Sequence, residues 1–124
     1  MKPIFDVVSP QLLEAMPYEY AGKKITVTIE TQEFTCLCPW TGLPDVALVS
    51  IVYEPLKTVI ELKSLKFYLQ SFRMVGMVHE SVVNRILDDL VTAVKPCSLS
   101  VQLVFGVRGG ITTTVNAHYQ SRKK

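Results

Sequence analysis

The order in which hydrophobic periodicities change along the chain constrains its fold more than any other feature. Alternation of apolar and polar residues over 25–30 and an apolar run over 46–53 predict two strands. Two segments at helical spacing follow, marked by Leu65, Tyr68, Leu69 and Phe72 and then by Val83, Ile86, Leu87, Leu90 and Val94. Alternation returns over 98–105 and 111–119 around a glycine turn, which predicts a β-hairpin.

This order, two strands, two helices and two strands, predicts an α+β fold. Each helix is apolar along one stripe only, so both helices should cover one face of a four-stranded antiparallel sheet. A chain of 124 residues is long enough to form one hydrophobic core. We therefore expect a single domain over residues 1–124, with flexible ends at about 1–17 and 120–124.

Composition limits which partners, which cellular location and which state of the cysteines can be expected. Thirteen basic and eleven acidic side chains give a net charge of +2, which does not favour a nucleic-acid partner. No apolar run approaches the roughly 20 residues that cross a bilayer, and the first residues do not read as a signal peptide, so a cytoplasmic protein is expected. Three cysteines, an odd number, favour free thiols over a disulfide framework.

Residues 33–45 leave a strand and become a loop that holds a thiol and a carboxylate. A thiol attacks as its thiolate, and a nearby carboxyl can protonate the atom that gains negative charge. From the residues alone, Cys38 is either such a nucleophile, with Asp45 as its acid, or a small buried hydrophobe. For Cys36 we expect packing. The two cysteines and the distant histidines do not form a four-ligand set, so no metal site is predicted.

Three further groups of residues have both a functional and a plain interpretation. Lys63 and Lys66, three residues apart, suit phosphate binding or an exposed helix face. Glu80 suits ligand binding or a helix N-terminus, where the helix dipole favours a carboxylate. Arg108 suits anion binding or a charged position in a hairpin turn. No GxGxxG motif joins a strand to a helix, so a nucleotide cofactor would not be held in a Rossmann domain.

In their shared order, these segments resemble the 7-cyano-7-deazaguanine reductase family of the tunnelling-fold superfamily. The resemblance runs from about residue 18 to residue 119. It rests on the loop 34–45 and on Glu61-Leu62-Lys63-Ser64-Leu65-Lys66-Phe67-Tyr68, Ser71-Phe72-Arg73, His79-Glu80, Val83-Asn84 and Arg108-Gly109-Gly110-Ile111. The resemblance implies the tunnelling fold and an NADPH-dependent reduction of the nitrile of 7-cyano-7-deazaguanine to a primary amine, in queuosine biosynthesis.

The resemblance also implies the chemical roles at the reacting centre. Cys38 adds to the nitrile to give a thioimide, and Asp45 protonates the nitrile nitrogen. Glu80 anchors the purine-like base, because a carboxylate can accept hydrogen bonds from a ring N–H and an exocyclic amine. His79 packs beside Glu80.

For the cofactor, the resemblance implies a site built from the signature segment. Lys63 and Lys66, together with Arg108, are the candidates to bind the NADPH phosphates. Glu61 and Ser64 belong to the same segment, and Glu61 orients the lysines.

The resemblance implies a homo-oligomer, a decamer of two pentamers, with active sites between neighbouring subunits. Mean hydropathy of +0.27 agrees with apolar surface between subunits. One alternative is an archaeosine-forming amidinotransferase of the same family, which adds ammonia to the nitrile and does not need NADPH. Retention of residues 61–68 weighs against it. Two others are a non-catalytic purine-binding protein of this fold and a zinc-dependent pterin-type cyclohydrolase.

Overall fold

The computed structural model describes residues 7–122, which form two antiparallel sheets and two α-helices. The strands are β1 (Ala15–Pro17), β2 (Val27–Leu37), β3 (Pro44–Glu54), β4 (Thr58–Ile60), β5 (Ser98–Arg108) and β6 (Ile111–Gln120), and the helices are α1 (Leu62–Gln70) and α2 (His79–Val94). The main sheet has the order β2-β3-β5-β6, and β1 pairs with β4 in a small separate sheet. The predicted α+β fold, with four antiparallel strands and two helices, is confirmed.

Strand β2 begins later than the alternation predicts, and a bulge divides it. Pairing with β3 begins at Val27, which lies opposite Tyr53, so residues 25–26 of the predicted strand are outside β2. The register then shifts between Thr31 and Phe34. Because a bulge inserts an extra residue, it exchanges the inward and outward positions of the strand. Phe34 therefore points into the core beyond the bulge.

The hydrophobic core lies between the helices and one face of the main sheet. Helix α2 packs across β5 and β6, and α1 packs beside β2. Phe72 links the layers, with its ring 5.3 Å from that of Phe34 and 5.4 Å from that of Tyr68. The largest fully buried side chains are Tyr68, Phe34, Phe72, Ile51, Ile86, Leu90, Leu99 and Leu103.

The predicted hairpin joins β5 to β6 through Gly109 and Gly110. Their φ angles of 58° and 79° lie in the left-handed region, which residues other than glycine rarely adopt. Helix α2 ends at Val94, because Lys95 is left-handed with φ 46° and the next residue is a proline. The end of α2 therefore sets where β5 begins, and the glycine turn sets where it ends.

The start of the described chain packs against α1. A short 3-10 helix (Pro10–Leu12) precedes β1, the backbone N–H of Ser9 donates to Ser71 Oγ at 3.0 Å, and that of Glu14 donates to Ser64 Oγ at 3.0 Å. Residues 1–6 and 123–124 of the predicted flexible ends lie outside the described residues. The single domain and its flexible ends stay predictions.

Within residues 7–122, no helix is both long and apolar enough to span a membrane.

Candidate active site

Cys38 stands directly after β2, in the tight connection to β3. Its backbone N–H donates to the carbonyl of Leu43 at 2.9 Å, and its carbonyl accepts from the N–H of Gly42 at 2.8 Å. Gly42, with φ 73°, makes the left-handed turn that closes this loop. The thiol is partly exposed, so the alternative of a buried hydrophobe does not describe it.

The loop stabilises the thiolate of Cys38. The Thr41 hydroxyl, and after it the backbone N–H groups of Thr41 and Trp40, donate toward the sulfur and lower the pKa of the Cys38 thiol. Burial and the charge of Asp45 act in the opposite direction with smaller effect. A lowered thiol pKa is what nucleophilic cysteines need. The sequence analysis missed Thr41, because its hydrogen bond to the sulfur exists only in the folded loop.

Asp45 lies on the neighbouring strand, and both of its carboxylate oxygens are occupied. It pairs in register with Cys36, and its side chain is 10% exposed. Oδ2 lies 3.1 Å from Nε2 of His79, and Oδ1 lies 3.1 Å from Nη2 of Arg108. The carboxyl group is therefore fixed by one contact from α2 and one donor from the end of β5.

The segment before α2 is held against the end of β2, which brings the start of that helix to Cys38. The N–H of Leu37 donates to the carbonyl of Val75 at 2.9 Å, and Leu37 accepts from the N–H of Met77 at 3.1 Å. Gly76 permits this approach, because a Cβ there would lie 3.4 Å from Cα of Pro39. The two segments, the end of β2 and the residues before α2, therefore run side by side at the site.

The first two residues of α2 face the site. The His79 ring stacks on Phe105, with centroids 3.6 Å apart and planes 4° apart, so its orientation is set by β5. Glu80 is exposed in the first helical turn. The dipole of the helix favours a carboxylate there.

These groups line one cavity of about 340 Å³. Its lining residues are Cys38, Pro39, Trp40, Asp45, Met77, Val78, His79, Glu80 and Arg108. The structure thus brings together the four residues predicted for catalysis and substrate binding. It adds Arg108, which the sequence analysis placed with the cofactor, and Trp40, which it missed; Trp40 is 80% exposed at this cavity.

The predicted cofactor residues of α1 lie elsewhere. Lys63 and Lys66 are exposed, and Lys66 lines a second cavity, of about 370 Å³, between α1 and β2. The Glu61 carboxylate accepts from the backbone N–H groups of Ser64 at 2.8 Å and Lys63 at 2.9 Å, and caps α1. Ser64 is buried, and its hydroxyl donates to the Glu61 carbonyl at 2.7 Å. Within one chain, Lys66 and Arg108 line different cavities.

The other two cysteines differ from Cys38. Cys36 is fully buried, and burial, followed by the charges of Asp45 and Cys38, raises the pKa of its thiol to about 12. Cys97 lies where β5 begins, and burial and the neighbouring Glu54 raise the pKa of its thiol. Among residues 7–122, no three side chains of histidine, cysteine, aspartate or glutamate are grouped to hold a metal ion.

The α+β fold and this site together define a class of protein. A partly exposed thiol of lowered pKa, a buried carboxylate and a stacked imidazole lie around one cavity, which is the arrangement of a cysteine-dependent enzyme.

Similarity to known proteins identifies the family of this chain. A model of the family described as "QueF-like protein" matches residues 44–124. A relative from Caldicellulosiruptor bescii is 49% identical to this chain, and the match covers 94% of this chain and 88% of the relative. One from Chloroherpeton thalassium is 47% identical, and the match covers 94% of this chain and 100% of the relative. A third, from Thermoanaerobacter pseudethanolicus, is 45% identical over 96% and 90%. All three are named NADPH-dependent 7-cyano-7-deazaguanine reductase. The chain belongs to the QueF-like protein family, and the predicted resemblance is confirmed.

A solved structure shows the same fold. The crystal structure of the archaeosine synthase QueF-Like in the apo form superposes with a TM-score of 0.72, covers 77% of this chain and 94% of its own, and is 24% identical in sequence. At that identity the likeness concerns the fold, and it agrees with the predicted fold class.

Proposed function

We propose that this chain reduces the nitrile of 7-cyano-7-deazaguanine to the amine of 7-aminomethyl-7-deazaguanine with NADPH, as a step of queuosine biosynthesis. The observation that carries the proposal is that Cys38, with a thiol of lowered pKa, shares one cavity with Asp45, His79 and Glu80. The printed name of relatives up to 49% identical supports the same activity.

The chemistry begins with Cys38. Its thiolate attacks the nitrile carbon, one π bond of the nitrile breaks, and the nitrogen takes a proton from Asp45. The product is a thioimide bound to Cys38, whose carbon is a better hydride acceptor than the nitrile carbon. Covalent catalysis thus divides one difficult reduction into easier steps.

Glu80 is the proposed anchor of the base. It is exposed at the cavity and carries two acceptor oxygens, which match the ring N–H and the exocyclic amine of a guanine-like base. His79 stacks on Phe105 and contacts Asp45, so its proposed share in substrate binding is to form a wall of the cavity.

NADPH would be held through Lys63 and Lys66 of α1, whereas Arg108, also expected at the NADPH phosphates, contacts Asp45 in this chain. The structure fits this assignment at α1, because both ammonium groups are exposed and Lys66 borders a cavity with apolar walls, where Glu61 and Ser64 fix the start of the helix. When bound, NADPH supplies the hydrides of the reduction.

We infer that the complete site forms between subunits of a homo-oligomer, a decamer of two pentamers. The supporting observation is that Lys66, proposed for the cofactor, and Cys38, proposed as the nucleophile, line separate cavities of one chain. In addition, β2 and β6 are the edge strands of the main sheet within residues 7–122, and Trp40, Val107 and Ile111 are exposed near its end. Native mass spectrometry should give ten chains, and a monomer would contradict this inference.

We also place the protein in the cytoplasm. Its three cysteines are all free thiols, which suits a reducing compartment.

Two measurements on the purified protein test the proposed function. Adding 7-cyano-7-deazaguanine should cause the oxidation of two NADPH molecules per substrate molecule. The oxidation is measured as a loss of absorbance at the nicotinamide band. Without NADPH, intact-mass analysis should show a covalent adduct that is absent from Cys38→Ala. An adduct without NADPH oxidation would favour the amidinotransferase, and the absence of both signals would favour a non-catalytic purine-binding protein.

A further inference from the structure

Arg108 contacts the catalytic carboxylate rather than projecting freely from the hairpin. It is the last residue of β5, immediately before the two glycines of the turn. Its Nη2 donates to the carbonyl of Pro44 at 2.7 Å and lies 3.1 Å from Oδ1 of Asp45. The guanidinium therefore holds both the backbone that precedes Asp45 and one oxygen of its side chain.

The two oxygens of Asp45 have partners of different chemistry. A guanidinium can only donate hydrogen bonds, so Oδ1 must remain an acceptor while Arg108 stays in place. His79 Nε2, 3.1 Å from Oδ2, can either donate or accept, depending on its tautomer. Because an O–H oxygen is a weaker acceptor than the other oxygen of the carboxyl group, the contact with Arg108 favours the proton on Oδ2, which can still accept from Nε2 of His79.

We propose that Arg108 is a positioning residue: it holds Oδ1 of Asp45 and thereby directs the acid proton to Oδ2, on the side of His79. This role rests on the proposed reductase activity and differs from a contact to cofactor phosphate.

The reacting step is balanced with this arrangement. The Cys38 sulfur forms a bond to the nitrile carbon, one π bond breaks, and the nitrogen receives the proton from Oδ2. Asp45 is left as a carboxylate that accepts from Arg108 at Oδ1 and from His79 at Oδ2. No electrons are exchanged, so this step needs no NADPH. The rate of adduct formation without cofactor therefore reports on Arg108 separately from any part in cofactor binding.

The experiment measures three quantities for wild type, Arg108→Gln and Arg108→Lys. They are the rate of adduct formation from 7-cyano-7-deazaguanine without NADPH, the rate of Cys38 alkylation by iodoacetamide, and the KM for NADPH. Alkylation needs the thiolate but no proton from Asp45. We expect Arg108→Gln to slow adduct formation at least about tenfold, with alkylation and KM within about twofold of wild type. Arg108→Lys, which keeps a cationic donor, should recover part of the rate.

The matched control is Arg85→Gln. It removes an arginine–aspartate contact of 2.9 Å, to Asp89 within α2, outside the cavity of Cys38. Adduct formation should keep the wild-type rate in this variant.

Three results would overturn the role of Arg108. One is wild-type adduct formation in Arg108→Gln with a raised KM for NADPH, which would assign the residue to the cofactor. Another is an equal loss of adduct formation and alkylation, which would mean that Arg108 only maintains the loop of Cys38. A wild-type protein that forms no adduct at all would refute the reductase activity itself, and the role of Arg108 with it.

Discussion

Cys36 and Cys38 are two residues apart, yet their surroundings are opposite. Cys36 lies inside β2 and is fully buried, and burial raises the pKa of its thiol to about 12. Cys38 lies in the loop that follows and is partly exposed, and donors from Thr41 and Trp40 lower the pKa of its thiol. The same side chain is therefore a packing group with a raised thiol pKa near the end of the strand and, at the start of the loop, the thiol that we propose as the nucleophile.

This difference shows which physical effects control thiol reactivity in this chain. Inside the sheet, the backbone N–H groups are used in strand pairing, and little remains to solvate a thiolate. Where the sheet ends, the turn of residues 38–43 directs free N–H groups and a hydroxyl toward the sulfur. Leaving the strand thus changes both the solvation and the hydrogen-bond donors available to the thiol.

The largest expected effect is on thiol labelling. At pH 7, a pKa of about 12 leaves Cys36 with about a thousandfold less thiolate than an unperturbed cysteine, whereas the lowered pKa of the Cys38 thiol gives Cys38 more. Iodoacetamide should therefore modify Cys38 first by at least that factor, as read from peptide mass spectra. In Cys38→Ala, the fast phase should vanish. If Cys36 in the folded protein were labelled at a rate comparable with that of Cys38, the predicted difference between the two thiols would be refuted.

Asp45→Asn should separate the acid from the nucleophile. Loss of a general acid should slow adduct formation by about 10²- to 10⁴-fold while substrate still binds. Labelling of Cys38 should be faster than in wild type, because the charge of Asp45 raises the pKa of the Cys38 thiol. The two rates should thus move in opposite directions. If both fall together, Asp45 supports the loop rather than supplying the proton.

Thr41→Val tests the donors of the loop. Without the hydroxyl, the pKa of the Cys38 thiol should rise, and labelling at pH 7 should fall by about three- to tenfold. The sign can be checked against pH: a thiol of raised pKa loses thiolate at neutral pH but ionises fully in alkali, so the two proteins should converge at high pH. Thr41→Ser retains the hydroxyl, and wild-type labelling is expected of it. A pH-independent deficit in Thr41→Val would indicate a displaced loop instead.

Cys36→Ala should have the smallest effect on chemistry. It removes a buried sulfur and should lower the free energy of unfolding by about 1–2 kcal/mol in urea titration. Labelling of Cys38 and adduct formation should change by less than about twofold. A larger change in either rate would show that the two thiols are coupled, contrary to the contrast drawn above.

Hydrophobic periodicity predicted the elements well. Alternation requires a strand with one buried face, and helical spacing requires a helix with one apolar stripe, so local pattern fixed six elements and their order. The short strands β1 and β4 were missed, because three residues are too few to show a period. The strand β2 begins two residues later than predicted, because its start depends on pairing with β3, which begins at Val27.

The structure brings some residues of the predicted site together and separates others. Cys38, Asp45, His79 and Glu80 were identified from motifs in a shared order, and all four line one cavity. Thr41 was missed because its contribution depends on the conformation of the loop. Arg108 was placed with the phosphates of the cofactor, whereas in the structure it contacts Asp45 and Pro44. Pro44 and Arg108 are 64 residues apart, and no local pattern records such a contact.

By itself, the sequence determined the types and order of the elements, the family and the chemical groups available for reaction. These follow from local periodicity and from motifs that are read along the chain. Only the tertiary structure decided what makes the pKa values of the two thiols differ, which oxygen of Asp45 meets Arg108 and which lysines lie apart from the thiol. Burial, hydrogen-bond direction and electrostatic contact depend on distances in space, and strand pairing, the bulge in β2 and the approach of α2 set those distances.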